Sequence, residues 1–84
     1  MSVILFCLNP CHKCDQIKEQ ITDESIIIVN LSHNFSEWKE MQKKLVNKYN
    51  VLEDLKRTAP ILVLEDKTKL VGQLRIQRWL NGFR

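Results

Sequence analysis

Apolar and polar residues fall in blocks along the chain, and the blocks predict its elements. Val3-Ile4-Leu5-Phe6-Cys7-Leu8 is an unbroken apolar run, the pattern of a strand buried on both faces. It ends at Asn9-Pro10. Beyond it, Cys14, Ile17 and Ile21 recur at spacings of three and four, with Lys13, Asp15, Lys18 and Glu19 off the stripe, which predicts a helix. Asn9 suits its N-cap, and Pro10 suits the first helical turn, where a missing N–H costs nothing. After a polar break at Thr22-Asp23-Glu24-Ser25, the β-branched run from Ile26 to Leu31 predicts a second buried strand. Strand, helix and strand in so short a stretch imply parallel pairing through a right-handed crossover.

Asn34 or Ser36 then caps a second helix, whose stripe is Trp38, Met41, Leu45 and Tyr49, with Asn50 at its C′ position. The stripe is read as core packing, with a Trp-Met partner surface as the weaker alternative. Val51 to Arg57 is a connection anchored by Leu52 and Leu55, with room for one helical turn. Thr58-Ala59-Pro60 leads into Ile61-Leu62-Val63-Leu64, a third buried strand with proline tolerated at its start. Glu65 to Thr68 is a tight turn into a short fourth strand, Lys69-Leu70-Val71, and a link that short makes an antiparallel hairpin. Gly72 supplies a backbone conformation other residues resist. A last helix carries Leu74, Arg75, Ile76, Trp79 and Leu80, with Gly82 at C′ and Phe83 as a hydrophobic staple.

Composition narrows the picture. Eighty-four residues, 44% of them hydrophobic, make one small domain without low-complexity stretches. The net charge of +3 is dispersed, which argues against a nucleic-acid footprint. The apolar start is too short to span a bilayer and follows no charged leader, so no membrane association is expected. Three cysteines clustered within the first fourteen residues do not make a secreted disulfide framework. The expected compartment is the cytoplasm.

The chemistry lies in Cys11-His12-Lys13-Cys14, where a buried strand hands over to a helix. Two thiols separated by two residues close and reopen a small disulfide ring. A cysteine in the first helical turn meets free N–H groups and the positive end of the helix dipole, so Cys11 is expected to titrate below the free value of about 8.5. His12 and Lys13 add positive charge, and His12 is as suited to tuning the thiolate as to being a plain surface residue. Cys14, heading the apolar stripe, is expected to be buried and less ionised. That asymmetry makes Cys11 the attacking thiol and Cys14 the resolving one. A zinc site is the competing reading, and only Cys7, His12 and His33 remain to complete its four ligands. Cys7 is expected to be buried and inert, unless it lies near Cys14, where a non-productive disulfide becomes available. His33 reads as a loop residue.

With Cys-x-x-Cys after the first strand, Thr-Ala-Pro before the third and Gly72 after the fourth, the whole chain resembles the glutaredoxin branch of the thioredoxin superfamily. It is most similar to the short glutaredoxin-like redoxins of bacteria and phages. The resemblance implies a thioredoxin-like α/β fold, β-α-β-α-β-β-α, a four-stranded mixed sheet with helices on both faces, the first and last helices sharing one. It makes Cys11 the nucleophile and Cys14 the resolving thiol, and it makes the Ala59–Pro60 bond cis, facing the disulfide. Ala59 then offers its N–H and C=O to the substrate backbone. His12, Lys13, Arg57, Thr58, Ala59, Pro60, Gly72 and Gln73 are the expected substrate contacts, with Arg57 and Lys13 suited to a glutathione carboxylate.

The chain departs from the family at three points. His12-Lys13 replaces Pro-Tyr, Gln73-Leu74 replaces acidic residues after the glycine turn, and Asn9-Pro10 replaces a basic residue before the first cysteine. The implied activity is reduction of protein or glutathione mixed disulfides by a monomer with no bound cofactor. The reductant is glutathione or thioredoxin reductase, and ribonucleotide reductase is a family-level client. The alternatives are a zinc- or iron–sulfur-binding module, dimeric if so, and a redox-silent thioredoxin-like adaptor whose partners ignore Cys11→Ser.

Overall fold

A computed structural model describes residues 3–9, 11–21 and 24–82. The elements are β1 (Ile4–Asn9), α1 (His12–Gln20), β2 (Ile27–Ser32), a 3-10 turn (Phe35–Glu37), α2 (Glu40–Tyr49), α3 (Leu52–Arg57), β3 (Ile61–Val63), β4 (Lys69–Val71) and α4 (Gln73–Gly82). The strands form one sheet in the order β2-β1-β3-β4. β1 runs parallel to β2, with Phe6 opposite Val29, and antiparallel to β3, with Phe6 opposite Ile61. β3 and β4 are antiparallel, Leu62 opposite Leu70. The chain is therefore α/β with an open, mixed four-stranded sheet.

Alternation along β1 places helices on both faces. Phe6 points to one side, where its ring lies 6.2 Å from that of Tyr49 on α2. Cys7 points to the other, where its thiol meets that of Cys14 on α1. α4 packs beside α1 on that second face. Leu5, Phe6, Cys7, Ile17, Ile61, Leu62 and Ile76 are wholly buried at the centre.

Several expectations are corrected. β2 is an edge strand rather than a fully buried one, so Ile27 (48% exposed) and Ile28 reach solvent. Trp38 is not on a helix. Asn34 caps the 3-10 turn, its Oδ1 accepting the Ser36 N–H, and Trp38 closes that turn. The Trp38 ring is nevertheless buried, and its Nε1 donates to the Ser32 carbonyl at 2.7 Å. α2 starts two residues later, where the Gln42 side chain accepts the Lys39 N–H at 2.9 Å. Its face therefore turns: Val46 is buried, while Met41 is 73% exposed and outside the core. The connection at 51–57 does form a helix, α3, in the place where one helical turn was expected. Gly82 belongs to α4 rather than following it, and Phe83, the expected staple, lies outside the described residues.

Asn50 closes α2 in the left-handed region (φ 55°), as its C-terminal placement predicts. The β3–β4 turn carries a second such residue, Lys67 (φ 70°), where the Asp66 carboxylate accepts the Thr68 N–H. Among the described residues no helix is long and apolar enough to cross a membrane.

Candidate functional site

The motif sits at the carboxyl end of β1, where the strand leaves the sheet and α1 begins. Asn9 is the last residue of β1, paired with Ser32, and does not cap the helix. The N-cap is Cys11 itself, extended at φ −157° and ψ 113°. Its Sγ accepts the Cys14 N–H at 3.3 Å, the role a serine or aspartate oxygen usually takes. Pro10 lies outside the described residues. Cys11 is thus one position short of the first turn, half-buried, with its sulfur over the open end of the helix.

Cys14, a turn further on, is wholly buried, and so is Cys7 on β1. The three thiols stand in a row with Cys14 in the middle, interacting with Cys11 on its outer side and Cys7 on its inner side. All three are free thiols. The row fixes their acidities. Donation of its proton to Cys7, with burial behind it, pushes the Cys14 thiol far up. The same hydrogen bond draws Cys7 down, against burial.

Cys11 departs from the expectation of a lowered value. Burial and the neighbouring Cys14 thiol push it up, outweighing the backbone N–H groups of Cys14 and Lys13. A raised pKa means a smaller thiolate fraction at neutral pH, and that fraction grows about tenfold per unit until the pKa is reached. Alkylation of Cys11 by iodoacetamide, followed by mass spectrometry, should therefore climb steadily from pH 7 to 8.5. A plateau below pH 8 would show that the helix terminus dominates instead.

The other predicted site residues divide into two groups. Lys13, Thr58, Gly72 and Gln73 come together, lining one groove of about 640 Å³ with Val71, Leu74, Arg75 and Arg78. The register pairing Phe6 with Ile61 runs residues 58–60 back alongside the end of β1, which brings Thr58 to the motif. The Ala59–Pro60 bond is cis, and the Pro60 carbonyl accepts the Gly72 N–H at 3.1 Å. Gly72 has φ 96°, a region side chains resist, and its missing Cβ leaves the groove floor open, with no atom within 4 Å of where one would stand.

Arg57 and His12 do not line this groove. Arg57 is exposed at the end of α3. His12 is exposed on α1, and its Nε2 lies 3.1 Å from the Gln16 amide nitrogen, which donates when the ring is neutral. Ala59 and Pro60 are buried, and Ala59 makes none of the turn, cap or loop backbone hydrogen bonds among the described residues.

Sequence reasoning missed Gln16, Arg75 and Arg78. Gln16 accepts a hydrogen bond from the Gln73 side chain, pinning α1 to the start of α4 beside the motif. Its signal was the i, i+4 spacing from His12. The arginines carried a weaker signal, two cations three apart just past the glycine turn. Among the described residues, no group of three or more His, Cys, Asp or Glu is placed to hold a metal ion. His33 sits in the exposed loop after β2, as read from the sequence. No protein-family model, curated protein or solved structure matches the chain.

Proposed function

We propose that this protein is a cytosolic thiol–disulfide oxidoreductase of glutaredoxin-like fold, reducing protein or glutathione mixed disulfides through Cys11 and Cys14. The observation that supports it most is the seating of Cys11 Sγ at the helix N-cap, accepting the Cys14 N–H, with the Cys14 thiol directly behind it. The cis Ala59–Pro60 peptide, the four-stranded mixed sheet and the groove at Gly72 are consistent with it.

In the proposed reaction, the Cys11 thiolate attacks one sulfur of the substrate disulfide. A Cys11–substrate disulfide forms, and the other substrate sulfur leaves as a thiolate that takes up a proton. Cys14 then loses its proton and attacks Cys11 Sγ. The Cys11–Cys14 disulfide closes, the second substrate thiol departs, and two electrons have passed to the substrate. Burial keeps Cys14 protonated until the mixed disulfide forms, so it acts on Cys11 rather than on solvent oxidants. Ala59 lends its N–H and C=O to the substrate backbone, and Lys13 and Thr58 flank it. A glutathione- or thioredoxin-reductase-fed donor returns the dithiol, and a client such as ribonucleotide reductase is the kind of protein disulfide it would serve.

A two-armed turnover assay tests this. One arm supplies glutathione, glutathione reductase and a small mixed disulfide, and the other supplies thioredoxin reductase and a protein disulfide. Turnover in either arm is expected, and the active arm identifies the donor. Silence in both would overturn the proposal.

A further inference from the structure

The groove beside the motif is basic and, in charge, one-sided. Lys13, Arg75 and Arg78 line it, and among the described residues no acidic one does. Four other cations, Lys18, Lys43, Lys56 and Lys69, each face a carboxylate within 4 Å, whereas Lys39, Lys44, Lys48, Arg57 and Lys67 stand apart on the surface without one among the described residues. None of the three groove cations has an acidic partner among the described residues.

Arg75 and Arg78 are three apart on α4, so they project from one face of it, both exposed. The open floor at Gly72 lets a ligand approach the backbone between them and Lys13. Leu74, 73% exposed at the same rim, adds apolar surface. Gln73, also on the groove, donates one amide N–H to Gln16. At the opposite end of the β3–β4 hairpin lie Glu65 and Asp66.

We propose that this groove selects protein disulfides whose cysteine is flanked by acidic residues, with Arg75 and Arg78 as specificity-determining residues beside Lys13. This rests on the oxidoreductase reading and adds the substrate class to it. Three cations lining a groove of this size suit a short acidic stretch of chain better than a single carboxylate. Charge lining a cleft raises the encounter rate of an oppositely charged partner by about tenfold or more, and salt removes the gain.

The test uses one disulfide-linked peptide in three forms, its cysteine flanked by Asp and Glu, by Ser and Gln, or by Lys. For the wild type at low salt, kcat/KM for the acidic form should exceed that for the basic form by about tenfold. The ratio should fall toward unity in 0.5 M NaCl and in the R75Q/R78Q variant, whose folding is checked by its melting temperature. Lys44→Gln, on the exposed surface of α2, should leave it unchanged. Equal rates for the three peptides, or a ratio indifferent to the arginines, would overturn the proposal while reduction of the neutral peptide keeps the oxidoreductase reading intact. A glutathione mixed disulfide preferred over the acidic peptide would overturn it as well, making the groove a small-thiol site. Failure to reduce even the neutral peptide would overturn both.

Discussion

Cys11→Ser is expected to lower disulfide reduction by about 10³-fold or more, the scale on which a lost covalent nucleophile shows. The fold should survive, because a serine oxygen can take over the cap that Cys11 Sγ now provides to the Cys14 N–H. Loss of turnover with an unchanged melting temperature would separate chemistry from stability. Cys14→Ser should behave differently. Cys11 still attacks, but nothing behind it resolves the product, so the mixed disulfide accumulates and shows as an added substrate mass by intact mass spectrometry. If Cys11→Ser retained turnover, attack would have to come from another thiol. Cys7 and Cys14 are both wholly buried, so neither can supply it without opening the core.

Phe6→Ala is expected to cost about 3–5 kcal/mol, the range for deleting a buried phenylalanine. Phe6 lies on β1, one of the two inner strands, between Val29 and Ile61 in register, with Tyr49 packed over its ring. The cavity would open where sheet and α2 meet, and the neighbouring strands cannot collapse into it without losing their register. Small domains sit at the low end of the usual 5–15 kcal/mol of stability, so much of the total would go. At about 4–8 °C per kcal/mol, the melting temperature should fall by roughly 12–40 °C. Urea unfolding followed by circular dichroism measures it, and a loss below about 1 kcal/mol would show that the sheet–α2 core is not packed as described.

What was legible in the sequence was mostly what continuous apolar runs and strong punctuation encode. The run from Val3 to Leu8 gave β1, the hairpin followed from the short turn after Leu64, and Asn50 marked the end of α2. Apolarity alone could not distinguish a central strand from an edge. Ile27 and Ile28 are as hydrophobic as Leu5 and Phe6, yet β2 has a neighbour on one side only. Spacing likewise failed where an irregular turn shifted the helix phase. The 3-10 turn at Phe35–Glu37 rotates α2 relative to Trp38, so Trp38 is buried by another route and Met41 faces outward.

At the candidate site, the motif, Thr58 and Gly72 were readable because each is local. The contribution of α4 was not, because Lys13 and Arg75 meet only after the chain has passed through three further strands. The neighbouring position of Cys7 was half-readable. Alternation along β1 gives Leu5 and Cys7 a common face, but only the packing of α1 onto that face brings Cys14 against Cys7 and changes the acidity of both.

The most direct measurement is disulfide mapping after equilibration in glutathione redox buffers of graded potential. Free thiols are alkylated at low pH, and the digest is read by mass spectrometry. A Cys11–Cys14 disulfide that forms and reopens with a two-electron dependence, leaving Cys7 alkylated only after unfolding, is the predicted result. Three thiols that stay reduced across the whole range, or a disulfide that never includes Cys11, would contradict it.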